Sequence, residues 1–175
     1  MKKVVALILA AALACGLLAG CGESKDKTLC LPFGAFSSLD ASMDEMVKAE
    51  GLIPNPYGDD DLTYIRDYEN PIKINDDKFG SCIFFFENDR LSDAFVTSII
   101  DLEKEDELKP LYNRIIKYME DIYGEGTVYS STSQYWDVIT EKGYEYSIEV
   151  SMEETEAFSE KTPGYYSVKI GVRGL

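Results

Sequence analysis

Apolar and polar positions follow three rhythms along this chain. Val4 to Leu18 is an apolar stretch, broken only by small residues, behind the basic start Met1-Lys2-Lys3. Its length suits the apolar core of a secretory signal, since a membrane-spanning helix takes about 20 apolar residues. Two later segments repeat at helical spacing. SMDEMVKAEG (42–51) opens on a capping box of Ser42 and Glu45, carries Met43, Met46 and Val47 on one side, and ends on Gly51. DELKPLYNRIIKYMEDIYG (106–124) lines up Leu108, Leu111, Tyr112, Ile115, Met119 and Ile122, with Pro110 in the first turn and Gly124 as the stop.

The third rhythm is that of strands, and three strand-like runs follow each helix. They are 62–68, 79–87 and 91–99, then 134–140, 144–152 and 165–173. ENDR (87–90) and EKG (141–143) are short enough to force antiparallel hairpins, and 153–164 is a longer acidic hairpin loop. From Gly51 and Gly124, 73 residues apart, the first strands start at +11 and +10 and the third at +40 and +41. The middle strands start at +28 and +20, so a loop differs in length there. This spacing predicts an α+β fold of two tandem αβββ repeats, about 29–101 and 102–175. The helices would pack on one face of a curved antiparallel sheet.

The end of the apolar leader assigns an address. Leu18-Ala19-Gly20-Cys21 looks like a bacterial lipobox, which is cleaved before a cysteine that carries diacylglycerol. The expected layout is a signal peptide at 1–20, a lipidated Cys21 with a polar tether at 21–28, and one globular domain at 29–175. Two or more acyl chains make a stable anchor, which places the domain on the extracytoplasmic side of the cell membrane.

Charge narrows the partners. The chain carries −15, and loss of Lys2 and Lys3 with the signal makes the mature charge −17. Nucleic acid demands Lys/Arg patches and is excluded as a partner. Anionic lipid repels such a domain, so it stands off the bilayer on its tether. Of the four cysteines, Cys15 leaves with the signal and Cys21 is lipidated. Cys30 and Cys82 remain, either as a disulfide closing a 52-residue loop, contributing about 4 kcal/mol, or as two separate buried thiols.

The helix-then-sheet pattern after a lipobox resembles the β-lactamase-inhibitor-protein-like and BamE-like small lipoproteins. The matching stretch is DASMDEMVKAEGLIP (40–54), with Ser42 at the cap and Gly51 at the helix end. Asp40 and Ala41 stand where Gly and Met are usual, and Pro54 lies one residue late. The resemblance implies a module that acts by protein–protein contact through an open sheet face.

Residue chemistry removes several enzyme classes. Without histidine, Ser-His-Asp and Cys-His catalysis in their usual forms are excluded. The commonest zinc and copper ligand is missing too, and two cysteines cannot close a Cys₄ site. No cofactor is implied. GDDD (58–61) and NDDKFG (75–80) invite a calcium reading, but neither fits an EF-hand loop, and solvated turns account for both. Paired carboxylates survive as a formal possibility because 32 acids guarantee chance pairs.

Strand faces supply the candidate site. The runs 144–152 and 165–173 alternate apolar and polar residues, as half-buried strands do. In 79–87, Cys82, Phe84 and Phe86 point one way and Ile83 and Phe85 the other, so both faces are apolar. Either a loop or the segment LCLPFGAF covers the second face, or the patch is open to a partner. Trp136 beside Tyr135 poses the same choice. The candidate binding face is Ile83, Phe85, Tyr135, Trp136, Tyr165, Lys169 and Arg173. The expected function is a non-enzymatic envelope lipoprotein that binds another protein. The alternatives are a solute- or glycan-binding lipoprotein that stacks its ligand on Trp136 and the tyrosines, and a carboxylate-dependent hydrolase.

Overall fold

The computed structural model describes residues 29–57, 62–66, 72–74, 76–101, 104–155 and 164–175. The signal at 1–20, Cys21 with its tether, GDDD at 58–61 and Asn75 lie outside them. Among the described residues no helix is long and apolar enough to cross a membrane. The elements are α1 (Met43–Glu50), β1 (Leu52–Pro54), β2 (Thr63–Arg66), β3 (Ile72–Ile74), β4 (Asp77–Phe79), β5 (Ser81–Glu87) and β6 (Arg90–Asp101). α2 (Glu105–Tyr123), β7 (Thr127–Ser130), β8 (Ser133–Ile139), β9 (Glu145–Thr155) and β10 (Tyr165–Gly174) follow.

Local signals place the helices well. The Ser42 hydroxyl accepts the Glu45 N–H at 3.4 Å, and the Ser42 N–H donates to the Glu45 carboxylate at 2.9 Å. That backbone bond, with the Ser42 hydroxyl behind it, holds the Glu45 carboxyl below its ordinary range. Gly51 closes α1 at φ 63°, in the left-handed region. α2 starts at Glu105, one residue earlier than its sequence signal, so Pro110 sits in the second turn rather than the first. There its missing N–H leaves the Asp106 carbonyl without an intrahelical donor.

Each of the six expected runs holds a strand within a few residues of its bounds: β2, β5, β6, β8, β9 and β10. The β5–β6 turn puts Asn88 at φ 51° and Asp89 at φ 63°, the two left-handed positions of a two-residue hairpin. Eight strands form one sheet in the order β1-β2-β5-β6-β10-β9-β8-β7, and β3 and β4 form a second, two-stranded sheet.

This architecture corrects the expected α+β fold of two αβββ repeats with helices packed on the sheet. The protein is β-rich, with ten strands and two helices among the described residues. The halves are also unequal: β1 to β6 precede α2 and β7 to β10 follow it. The extra strands are three or four residues long, too short to show an alternation. β3 and β4 fall between β2 and β5, where the middle spacing of the two halves disagreed. The halves also do not close separately: β6 and β10 pair without a break from Asp101 opposite Tyr165 to Asp93 opposite Arg173.

The core lies on one sheet face, where Phe84, Val96, Ile148, Val150, Val168 and Ile170 are fully buried. Met46 of α1 and Leu111, Tyr112, Ile115 and Met119 of α2 join the same cluster. The segment LCLPFGAF does not cover the opposite face. Leu31 and Phe33 enter the core, and the Phe33 ring meets Phe84 edge-on at 6.1 Å. Two α2 tyrosines hold this segment down. The Tyr118 hydroxyl donates to the Pro32 carbonyl at 3.1 Å and that of Tyr123 to the Cys30 carbonyl at 2.6 Å. Burial pushes the Tyr118 phenol up to about 12 and raises that of Tyr123 further.

A buried carboxylate completes the closure. The Glu50 side chain, 0% exposed at the end of α1, accepts from the Ala35 N–H at 2.8 Å and the Ser37 N–H at 3.3 Å. It also accepts the Ser37 hydroxyl at 2.5 Å and pairs with Arg66 of β2 at 3.5 Å. A Cβ on Gly34 would overlap the Glu50 carboxylate, and Gly34 adopts φ +75°.

Removing this carboxylate strands the buried Ser37 N–H and the part-buried Ala35 N–H. Glu50→Ala should therefore cost about 3 kcal/mol of unfolding free energy in urea melts. Glu50→Gln, which keeps one acceptor oxygen, should cost less. Equal stability of Glu50→Ala and wild type would show that the clasp contributes nothing.

Candidate functional site

Cross-strand register defines the sheet face opposite the core. Paired residues in an antiparallel ladder project to the same side. One row runs Ile53, Ile65, Ile83, Phe95, Gly171, Glu149, Tyr135 and Thr127. The next runs Thr63, Phe85, Asp93, Arg173, Ser147 and Asp137. A third carries Thr97, Lys169, Ser151 and Ser133. Apolar side chains thus gather on β5 and β6, cations on β10 and carboxylates on β8 and β9.

The rows enclose a groove of about 280 Å³ lined by Phe95, Asp93, Lys169, Arg173, Glu149 and Glu153, with Gly171 among its floor residues. The Phe85 and Phe95 rings pack at 6.3 Å, and Lys169 Nζ stands 4.9 Å from the Phe95 ring centre. The Arg173 guanidinium donates to Asp93 at 3.0 Å on a well-exposed pair. Beside the groove, Tyr129 and Tyr135 border a second depression that shares Ser147 and Glu149 with the first. The Ser133 hydroxyl donates to Glu149 at 2.6 Å. Part of the face is covered: Thr63, Ile65 and Ser167 belong to it by register and are buried.

The expected site residues divide. Ile83, Phe85, Tyr135, Lys169 and Arg173 share this face, and Ile83, Phe85, Tyr135 and Lys169 are half-buried on it. Tyr165 shares it too, but six residues from Gly171, about 20 Å along the strand. Trp136 does not belong. It is 4% exposed, packs in the core and donates its indole N–H to the Gly124 carbonyl at 2.8 Å. Adjacent strand residues face opposite ways, so Tyr135 and Trp136 could never share a surface. Phe95, Gly171, Asp93 and Glu149 line the groove and are not among the expected site residues. The glycine inside an otherwise regular strand was the available signal.

The expected cysteine pairing is corrected as well. Cys82 is a free, buried thiol, so Cys30 and Cys82 do not form the expected disulfide. Asp77, from the calcium-like stretch, is held by Arg114 of α2 through two bonds of 2.7 and 3.0 Å. Among the described residues no three acidic, cysteine or histidine side chains cluster to hold a metal ion.

Compared with known proteins, the chain matches no family model, no curated protein and no solved structure.

Burial raises the Cys82 thiol far above its ordinary range, and the nearby Glu50 carboxylate adds to this against Arg66. Cys82 should resist iodoacetamide at pH 8 in the native protein and react fully in denaturing urea. Peptide mapping should find no Cys30–Cys82 crosslink. Rapid native alkylation of Cys82 would contradict its buried position.

Proposed function

We propose that this protein is a cell-envelope lipoprotein, anchored through Cys21, that binds another protein through the sheet face opposite its core. One observation carries the reading. The Phe85–Phe95 pair sits half-exposed on the sheet face opposite the core, beside a groove with charged walls. Aromatic anchors with a charged rim are the composition of a protein-binding patch. The lipobox-like end of the leader supports the address. A glycan-stacking platform has weaker support, because Trp136 lies in the core and leaves only Tyr129 and Tyr135 as neighbouring rings.

Two experiments test the proposal. Cys21→Ser should release the protein from the membrane fraction, and its retention there would overturn the anchor. In-cell crosslinking of the full-length chain should capture one dominant envelope protein, and Phe85→Asp should lose it while leaving the melting temperature within a few degrees of wild type. Unchanged capture by Phe85→Asp would remove this face from the interaction.

A further inference from the structure

Gly171 poses the sharpest question in the molecule. It lies inside β10, paired on both sides, where a glycine costs about 0.5–1 kcal/mol relative to alanine. Three intrinsic reasons for a strand glycine are absent. Its φ is not left-handed, and its register is unbroken on β6 and on β9, so there is no bulge. A Cβ built on it would meet nothing within 4 Å. By contrast, Gly34 and Gly126 have the Glu50 carboxylate and the Trp136 ring against them. The remaining reason for glycine in a strand is close approach by something from outside.

The surroundings describe what approaches. Phe95 and Glu149 flank Gly171 on the neighbouring strands. With strands about 4.8 Å apart, the empty position is a slot roughly 10 Å wide, room for one side chain. One wall is apolar, from Ile83 and Phe85 to Phe95. The other is acidic: Glu145, Glu149 and Glu153 recur at every fourth residue of β9, with Asp137 beside them on β8, and all four are exposed. Among the described residues the ion pairs are Arg66–Glu50, Arg114–Asp77 and Arg173–Asp93, so none of these four carboxylates meets a cation. Arg173 is taken by Asp93, and Lys169 lies over Phe95.

We infer that the groove over Gly171 docks an extended, basic segment of a protein partner, with an apolar side chain in the slot against Phe95 and Lys or Arg residues facing the β8–β9 carboxylates. The inference rests on the proposal that this face binds protein and specifies the partner's chemistry. A second copy of this chain fits poorly, because its net charge of −15 repels its own acidic face. The acidic wall accelerates encounter and sets orientation, and the apolar slot fixes the seat.

The test uses the full-length chain and an acetylated, amidated (Lys-Val)4 peptide, with (Glu-Val)4 as control. The basic peptide should bind and the acidic one should not. Gly171→Val should weaken binding at least tenfold with no loss of melting temperature, since valine suits a strand and its Cβ meets no neighbour. Gly171→Ala serves the same purpose should valine disturb folding. Glu149→Lys should weaken binding similarly, whereas Glu107→Lys, an equal charge change on exposed α2, should not. Unchanged affinity in the Gly171 variants, or equal losses in Glu149→Lys and Glu107→Lys, would overturn the docking groove. A protein captured in a Phe85-dependent way but not displaced by (Lys-Val)4 would leave the face as a binding surface and refute a basic partner.

Discussion

The pairing of β6 with β10 is the constraint on which everything else in this fold depends. It joins segments about 80 residues apart, as the Asp93–Arg173 pair shows. Closing so long a loop is entropically unfavourable, and the length of the ladder offsets it. Without that seam the β1-β2-β5-β6 and β10-β9-β8-β7 groups would be two small sheets, each with an extra raw edge. With it, Val96 meets Ile170 on the core side and Phe95 meets Gly171 on the other. Core and groove are therefore two faces of one ladder.

Sealing the core leaves the other face available. Phe33 and Leu31 spend their apolar area against Phe84 and the rest of the cluster, and Tyr118 and Tyr123 tie down their backbone. Glu50 does the same a few residues farther along by collecting the Ala35 and Ser37 donors. A carboxylate is a poor match for the negative end of a helix. Two N–H groups, a hydroxyl and Arg66 compensate it, and the loop at 34–37 is thereby locked to α1 and β2. These ties draw the N-terminal segment to the core side, so it cannot lie over Ile83 and Phe85.

The outer face sorts its chemistry by strand. Each β-strand exposes alternate residues, so the acid–serine rhythm of Glu145, Ser147, Glu149, Ser151 and Glu153 becomes a wall. The Phe85–Phe95 pair, on the β5–β6 hairpin, becomes the facing wall only because β6 is held in register with β10 across the seam. Gly171 marks the boundary between them. A face divided in this way discriminates by charge on one side and by shape on the other.

The sequence by itself determined what depends on neighbours within about four residues. That covers the Ser42–Glu45 capping box, the stop at Gly51, the Asn88-Asp89 hairpin and the course of six strands. It also determined that Tyr135 and Trp136 oppose each other, because the strand period is two. It did not determine which of them faces the core, since both are aromatic and only the pairing of Trp136 with Ile148 settles it. The doubly apolar Ser81–Glu87 strand was ambiguous for the same reason. Strand order, the separate β3–β4 sheet, the free Cys82, the Glu50 clasp and the slot over Gly171 were decided by tertiary structure alone. Each arises from groups far apart in the chain, and local periodicity carries no record of which distant partner a residue will meet.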